Sequence, residues 1–314
     1  MNKKTIERYV LHNMVLFILL AMVAAISFLN ANFLTPSNLI NILVEMSTYG
    51  VVSIAMTAAI ICGEFDLSVG STFALCAVLF ISLIDHVGVF PAMLAAILCG
   101  GLCGLVNGIL VAKAEMPAFV ATLGTMVAVR GLALNYTDGK PISNSNQLIY
   151  NIGNGYFLRI PNLVVMFFIA LVVMHYILRY TTFGRNLYAT GGNRDMAELA
   201  GIRVPFYRMM IFVILGLASG MAAVMSGCRM ASGNAALLGL DLSMSSIAGV
   251  VVGGTSLSGG SGSVWKSLAG MLVIGVLFNA LTLLGIQAYY QQLIRGLVVI
   301  VVVAADILMN AGKE

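Results

Sequence analysis

Charged residues are scarce in this chain: Asp, Glu, Lys and Arg make up 9% of 314 residues, while 60% are apolar. A soluble domain carries about 25% charged residues. The composition therefore excludes an ordinary water-soluble protein and favours a chain whose outer surface faces membrane lipid. The net charge of +4 comes without a basic patch interleaved with aromatic residues, so it does not indicate nucleic-acid binding.

Catalytic and metal-binding patterns are also missing from the sequence. There is no Gly-x-x-x-x-Gly-Lys-Ser/Thr, so the chain has no P-loop to cradle ATP phosphates. The three histidines lack a nucleophile and an orienting carboxylate in a triad-like arrangement. Cys99 and Cys103 share a helix face, but no histidine or carboxylate near them completes a metal site. We predict no enzyme activity, no metal and no cofactor in this chain.

Long apolar runs dominate what is present. A helix needs about 20 apolar residues to cross the roughly 30 Å hydrocarbon layer. Runs of this kind predict an all-α, polytopic transmembrane bundle that forms a single transmembrane domain over residues 1–314. The ten predicted spans are 14–31, 40–62, 68–85, 91–113, 119–136, 162–179, 209–228, 243–257, 265–284 and 291–309.

The basic residues assign a side to each loop. Ten spans place both termini on one side, and the positive-inside rule favours the cytoplasm for that side. On this assignment, Arg130, Lys140, Arg159, Arg229 and Arg295 lie outside or near the outer ends, and the other eleven Lys and Arg residues lie inside. The segment 137–161 is then external, and the arginine-rich segment 180–208 is cytoplasmic.

The sequence also contains a weak internal repeat. Asp66-Leu67-Ser68 recurs as Asp241-Leu242-Ser243, and the glycines before Asn107 recur loosely before Asn279. In the ten-span order, the first Asp is cytoplasmic and the second is external. The pattern predicts five-helix halves of opposite orientation, about 40–136 and 209–309, as in many transporters.

The cytoplasmic segment contains a predicted short helix. Asn193 is a good N-cap, Asp195 lies in the first turn, and Gly201 is a natural C-terminal stop. Met196 and Leu199 are apolar, while Arg194, Asp195 and Glu198 are polar. Such a helix either inserts its apolar face into a groove on a partner or lies on anionic lipid. The residues alone leave both alternatives open.

Polar groups inside apolar segments are the other candidates for function. Asp66 and Ser68 also suit helix capping, and Asn107 and Asn279 also suit hydrogen bonds between helices. Glu45, Arg130 and Arg295 lie within predicted spans. We expect Glu45 to pair with one of the two arginines, against the alternatives of snorkelling arginines and a protonated glutamate. The candidates for the substrate pathway are Asp66, Ser68, Asn107, Phe119, Ser243, Ser245 and Asn279.

Four segments resemble the signature patterns of one known protein family. Residues 63–70, GEFDLSVG, are similar to its G-x-D-L-S-V-G signature, and 117–131 resemble its P-x-F-[IV]-x-T-L-G-T-M…R-G. Residues 183–202 resemble its F-G-R…G-G-N…A…G-I loop, and 253–262 resemble its G-G-T-S-L-x-G-G-x-G. The four segments occur in family order and extend over most of the chain, so the chain resembles the ribose-type permeases of bacterial ABC importers.

The resemblance implies a permease of the bacterial inner membrane that works as a dimer with a second copy or a paralogue. It also implies cytoplasmic ABC ATPase subunits that bind ATP and Mg²⁺, and a periplasmic or lipid-anchored sugar-binding protein. The residues that the resemblance assigns to ATPase coupling are Asn193, Arg194, Asp195, Met196, Glu198, Leu199 and Gly201. One departure is that many members have E-L-D-A-I-A where this chain has Ser243 and Ser245 in place of both acids.

The sequence therefore predicts the membrane subunit of an ATP-driven importer for a monosaccharide or a similar small polar solute. Two alternatives stay open. One is a secondary transporter driven by an ion gradient, which would need buried carboxylates near the middle of the membrane. The other keeps the same fold with a non-sugar cargo, such as a nucleoside, a polyol or a signalling molecule.

Overall fold

A computed structural model describes residues 14–239 and 241–310, which include 13 helices. Local chemistry sets their ends: α2, for example, begins at Pro36, and the Thr35 hydroxyl accepts a hydrogen bond from the Asn38 amide. The helices are α1 Met14–Leu29, α2 Pro36–Ile61, α3 Val69–Val87, α4 Val89–Ala112, α5 Ala118–Thr137, α6 Gln147–Asn154, α7 Asn162–Tyr180, α8 Thr182–Gly192, α9 Arg194–Leu199, α10 Val204–Met230, α11 Leu242–Val252, α12 Val264–Leu283 and α13 Ala288–Asn310.

Seven of these helices, α2, α3, α4, α5, α7, α10 and α12, are long and apolar enough to cross a membrane. Each coincides with a predicted span. The other three predicted spans fall on the shorter apolar helices Val15–Leu29, Leu242–Val252 and Ala288–Ala304. Length and composition thus identify seven spans among the described residues, and the count of ten stays a prediction.

Glycines bring α4 and α10 into close contact. A Cβ atom on Gly100 or Gly104 would overlap the backbone of α10, and a Cβ atom on Gly216 or Gly220 would overlap or crowd that of α4. Both pairs have the Gly-x-x-x-Gly spacing that lets membrane helices approach each other closely. This contact holds two neighbouring helices of the bundle together.

One end of the bundle gathers the segments that were predicted to be cytoplasmic. The Gly260 amide donates to the carbonyl oxygen of Ile61 at 2.9 Å, and the Tyr188 hydroxyl donates to the carbonyl oxygen of Gly262 at 3.0 Å. The turn after α2, the 180–208 segment and the turn before α12 therefore meet. This end, which carries the arginines of the 180–208 segment, is called the arginine end below.

The opposite end gathers segments that were predicted to be external. Strand β1, Ile142–Ser143, pairs with β4, Ser232–Gly233, and strand β2, Tyr156–Phe157, pairs with β3, Ile160–Pro161. The Asn144 side chain donates to Asp85 at 2.9 Å. The bundle therefore separates these two sets of loops, except that the segment before α11, predicted to be external, reaches the start of α3. Lys3, Lys4, Arg8 and Lys313, which support the predicted sidedness, lie outside the described residues.

Candidate functional site

The short helix α9 protrudes from the arginine end with the ends that the sequence predicts. The Asn193 side chain accepts from the Met196 amide at 3.0 Å, and Asp195 lies in the first turn. Gly201 has φ +80°, a conformation that glycine adopts without strain, and its amide donates to the carbonyl oxygen of Glu198.

The apolar residues of α9 are left uncovered. Met196 is 61% exposed and Leu199 is 83% exposed, whereas Ala197 is buried against the bundle. Asp195 and Glu198 are exposed as well. A groove of about 510 Å³ lies beside this helix and is lined by Asn186, Ala200, Gly201, Ile202, Arg203, Phe206 and Tyr207. An exposed apolar tip next to a groove is the geometry of a docking surface.

A buried glutamate ties α9 to the turn after α2. Glu64 is only 3% exposed, and its Oε1 accepts from Arg194 Nη2 at 2.8 Å and from Arg208 Nε at 2.6 Å. Arg194 also donates to the carbonyl oxygen of Gly63 at 3.3 Å. Arg194, which was assigned to a coupling surface, is therefore partly engaged within the chain. Sequence reasoning missed Glu64 because this residue entered only as one letter of the 63–70 signature, and its arginine partners lie 130 and 144 residues further along the chain.

Two residues after Glu64, a buried polar cluster begins. Asp66 Oδ1 accepts from the Ser68 amide and hydroxyl, both at 2.6 Å. Asn107 on α4 donates to Asp66 Oδ2 at 3.0 Å and to the Ser68 hydroxyl at 2.8 Å. All three residues are buried, and Asn107 Oδ1 has no hydrogen-bond partner among the described residues. The cluster fixes the start of α3 against α4.

Ser243 joins the start of α11 to the start of α3. Its hydroxyl donates to the carbonyl oxygen of Leu67 at 2.8 Å and accepts from the Gly70 amide at 3.3 Å. Gly239 packs directly on Gly70, with no room for a side chain on either residue. A cavity of about 320 Å³ opens at this contact, lined by Leu67, Gly70, Ser71, Met126, Val127, Arg130, Gly239 and Ser243.

The other pathway candidates lie elsewhere. Ser245 lines a separate cavity of about 60 Å³, together with Glu45, Tyr49 and Arg295. Asn279 exchanges hydrogen bonds of 2.9 Å with Asn38, so it joins α12 to α2. Phe119 is half exposed on α5. The structure thus brings Asp66, Ser68 and Asn107 together beside Ser243, but it does not unite the whole predicted set.

The charges within the predicted spans have partners that differ from the prediction. Arg295 forms an ion pair with Asp241, and its guanidinium lies 4.2 Å from the ring centre of Phe278. Arg130 Nη1 donates to the carbonyl oxygens of Ala235 and Leu238. Among the described residues, Glu45 forms no ion pair within 4 Å. The predicted pairing of Glu45 with an arginine is therefore wrong in this structure, because both guanidinium groups find partners near the start of α11.

Comparisons with known proteins give consistent matches. The family model described as "Branched-chain amino acid transport system / permease component" matches residues 38–303. The ribose import permease protein RbsC of Haemophilus influenzae is 37% identical over 313 residues, which cover 98% of this chain and 97% of that protein. RbsC of Bacillus subtilis is 39% identical over 92% of this chain and 90% of its own length.

A third relative carries a different sugar in its name. The L-arabinose ABC transporter permease protein AraH of Azospirillum brasilense is 35% identical over 93% of this chain and 86% of its own length. No solved structure matches the chain.

Proposed function

This chain belongs to the branched-chain amino acid transport system / permease component family, and on that premise we propose that it is the membrane subunit of an ATP-driven sugar importer. The similar relatives are named as ribose and L-arabinose permeases, which supports a monosaccharide or a similar polar solute as the cargo. The observation that carries the proposal is the exposed apolar tip of α9, which is anchored in the bundle through Glu64.

Separate ATPase subunits bind ATP and Mg²⁺ and dock on α9 and the adjacent groove. When they close, they push on Met196 and Leu199, the most exposed apolar side chains of this helix. The ion pair of Arg194 with Glu64 carries the displacement to the turn after α2. That turn leads directly to Asp66 and Ser68, which position the start of α3 beside the 320 Å³ cavity.

The permease works as a dimer with a second copy or a paralogue, and a sugar-binding protein docks at the end opposite the arginine end. The chain crosses the inner membrane ten times with both termini in the cytoplasm, the three shorter apolar helices included. The halves 40–136 and 209–309 are inverted repeats. Support for the repeat comes from the recurrence of Asp-Leu-Ser in the two halves. The two segments contact each other through Ser243 and Leu67, so the predicted placement of Asp66 and Asp241 on opposite sides of the membrane is wrong in this structure.

One observation favours the alternative of ion-driven transport. Asp66 is a buried carboxylate whose hydrogen-bond partners among the described residues are all neutral. Proton relays in membrane transporters use buried carboxylates. On this alternative, the purified chain alone would accumulate sugar in response to an ion gradient. The exposed tip of α9 would then have no partner to bind.

The test is ATPase binding and ATP-driven uptake by Leu199→Asp in membranes that contain the complete transporter. A carboxylate at this 83% exposed position places a charge in an apolar interface, so we expect loss of ATPase co-purification and of uptake. Leu158→Asp, at an equally exposed residue of the opposite end, is the matched control and retains ATPase binding. Full ATPase binding by Leu199→Asp, or sugar uptake by the chain alone, would contradict the proposal.

A further inference from the structure

The 320 Å³ cavity contains an arginine whose charge is balanced by no carboxylate of the described residues. Arg130 Nη1 donates to the carbonyl oxygens of Ala235 and Leu238, while Nε and Nη2 donate to no group among the described residues. Arg130 forms no ion pair within 4 Å there, although it is only partly exposed. Two neutral carbonyl groups leave a full positive charge at the wall of the cavity.

The remaining lining is neutral. The Ser71 and Ser243 side chains are its hydroxyl groups, and the other lining residues are apolar side chains and glycines. The acids nearest in sequence are engaged elsewhere, because Asp66 accepts from Ser68 and Asn107, and Asp241 pairs with Arg295. A carboxylate supplied from outside the chain would therefore complete the charge balance.

From this geometry we propose that the cavity binds the carboxylate of a sugar acid, so that the cargo is a polyhydroxylated carboxylate rather than a neutral sugar. The inference rests on the proposed importer function and narrows its substrate class. A guanidinium group with free N–H donors matches a carboxylate in charge and geometry. The Ser71 hydroxyl suits a sugar hydroxyl, and the volume is near the lower end of the roughly 300–1,000 Å³ of small-molecule pockets.

The sequence departure at Ser243 agrees with this assignment. Many members of the family that this chain resembles have an acid at this position, whereas here a serine hydroxyl lies in the cavity with Arg130. An acid on the protein would compete with an anionic cargo for the guanidinium group. The serine leaves Arg130 available to the cargo.

The test is equilibrium binding of radiolabelled D-gluconate and D-ribose to the purified full-length chain at constant ionic strength. We expect gluconate to bind about tenfold more tightly than ribose, the amount that a hydrogen bond to a charged group supplies. Arg130→Gln removes the charge and abolishes this preference. Arg130→Lys disturbs the same two carbonyl bonds but keeps the charge, so it retains most of the preference.

The inference would be overturned by no gluconate binding, by equal binding of gluconate and ribose, or by an unchanged preference in Arg130→Gln. Acetate at equal concentration serves as a competitor without hydroxyl groups. If acetate displaces labelled gluconate as effectively as unlabelled gluconate does, the cavity is a general anion site. That result would also overturn the assignment to the cargo. Co-purification of the ATPase is measured separately, on membranes that contain the complete transporter, so failure of the anion site and failure of the importer function are separable.

Discussion

Replacement of Glu64 by glutamine removes the charge that links α9 to the bundle. The side-chain oxygen remains, but both hydrogen bonds lose their ionised acceptor. Breaking a buried ion pair costs about 3–5 kcal/mol, and a pair exposed to solvent contributes about 1 kcal/mol or less. Arg208 is 15% exposed and Arg194 is 44% exposed, so the Arg208 bond carries most of the effect. We expect a total loss of about 2–4 kcal/mol, since glutamine keeps one neutral acceptor.

Two measurements read out this change. The thermal unfolding midpoint of the detergent-solubilised chain falls in Glu64→Gln, and it falls further in Arg208→Gln than in Arg194→Gln. In the complete transporter, Glu64→Gln hydrolyses more ATP for each sugar imported, because α9 moves without carrying the turn after α2. The matched control is Glu115→Gln, at an exposed glutamate without an ion pair among the described residues, which changes stability by less than about 0.5 kcal/mol. The reasoning would be refuted if Glu64→Gln had the same unfolding midpoint as this control and hydrolysed the same amount of ATP for each sugar imported.

Further predictions concern packing and helix association. Gly191→Ala places a methyl group onto the carbonyl oxygen of Ile61 and lowers the stability by about 1–3 kcal/mol, measured by thermal unfolding; Gly124→Ala, at a glycine with free space around it, does not. Replacing Asn38 and Asn279 by alanine, singly and together, gives a coupling free energy of about 0.6–1.7 kcal/mol in a double-mutant cycle, as hydrogen bonds between membrane helices do. Additive effects of the two replacements would contradict a direct amide pair.

Much of the fold follows from the sequence because a long apolar run in a bilayer forms an α-helix, which satisfies all its backbone hydrogen bonds internally. The same reasoning is less informative for α11, whose 11 residues are fewer than a bilayer crossing requires. The limits of α9 were predictable because an N-cap side chain and a C-terminal glycine act within a few residues. The sequence contains no comparable local signal for the turns that gather at the arginine end.

The candidate site was less predictable because its partners are distant along the chain. Asp66 and Asn107 are 41 residues apart, and Glu64 meets Arg194 across 130 residues. Residues that are close in sequence can also separate: Ser243 and Ser245 line different cavities, since two positions along an α-helix differ by about 200° around its axis. The candidate pathway residues were chosen from the sequence by residue type. Only the tertiary contacts show which of them lie together in the structure.

The most direct test of the central claim is photo-crosslinking from position 196 in the assembled transporter. Met196 lies on the exposed face of α9 and contributes no side-chain hydrogen bond or ion pair among the described residues, so a photoreactive residue fits there without loss of internal contacts. We predict a crosslink to the ATPase subunit that changes in yield when ATP is added. A crosslink to lipid alone, or labelling of position 196 by an impermeant reagent from the external side, would contradict the account.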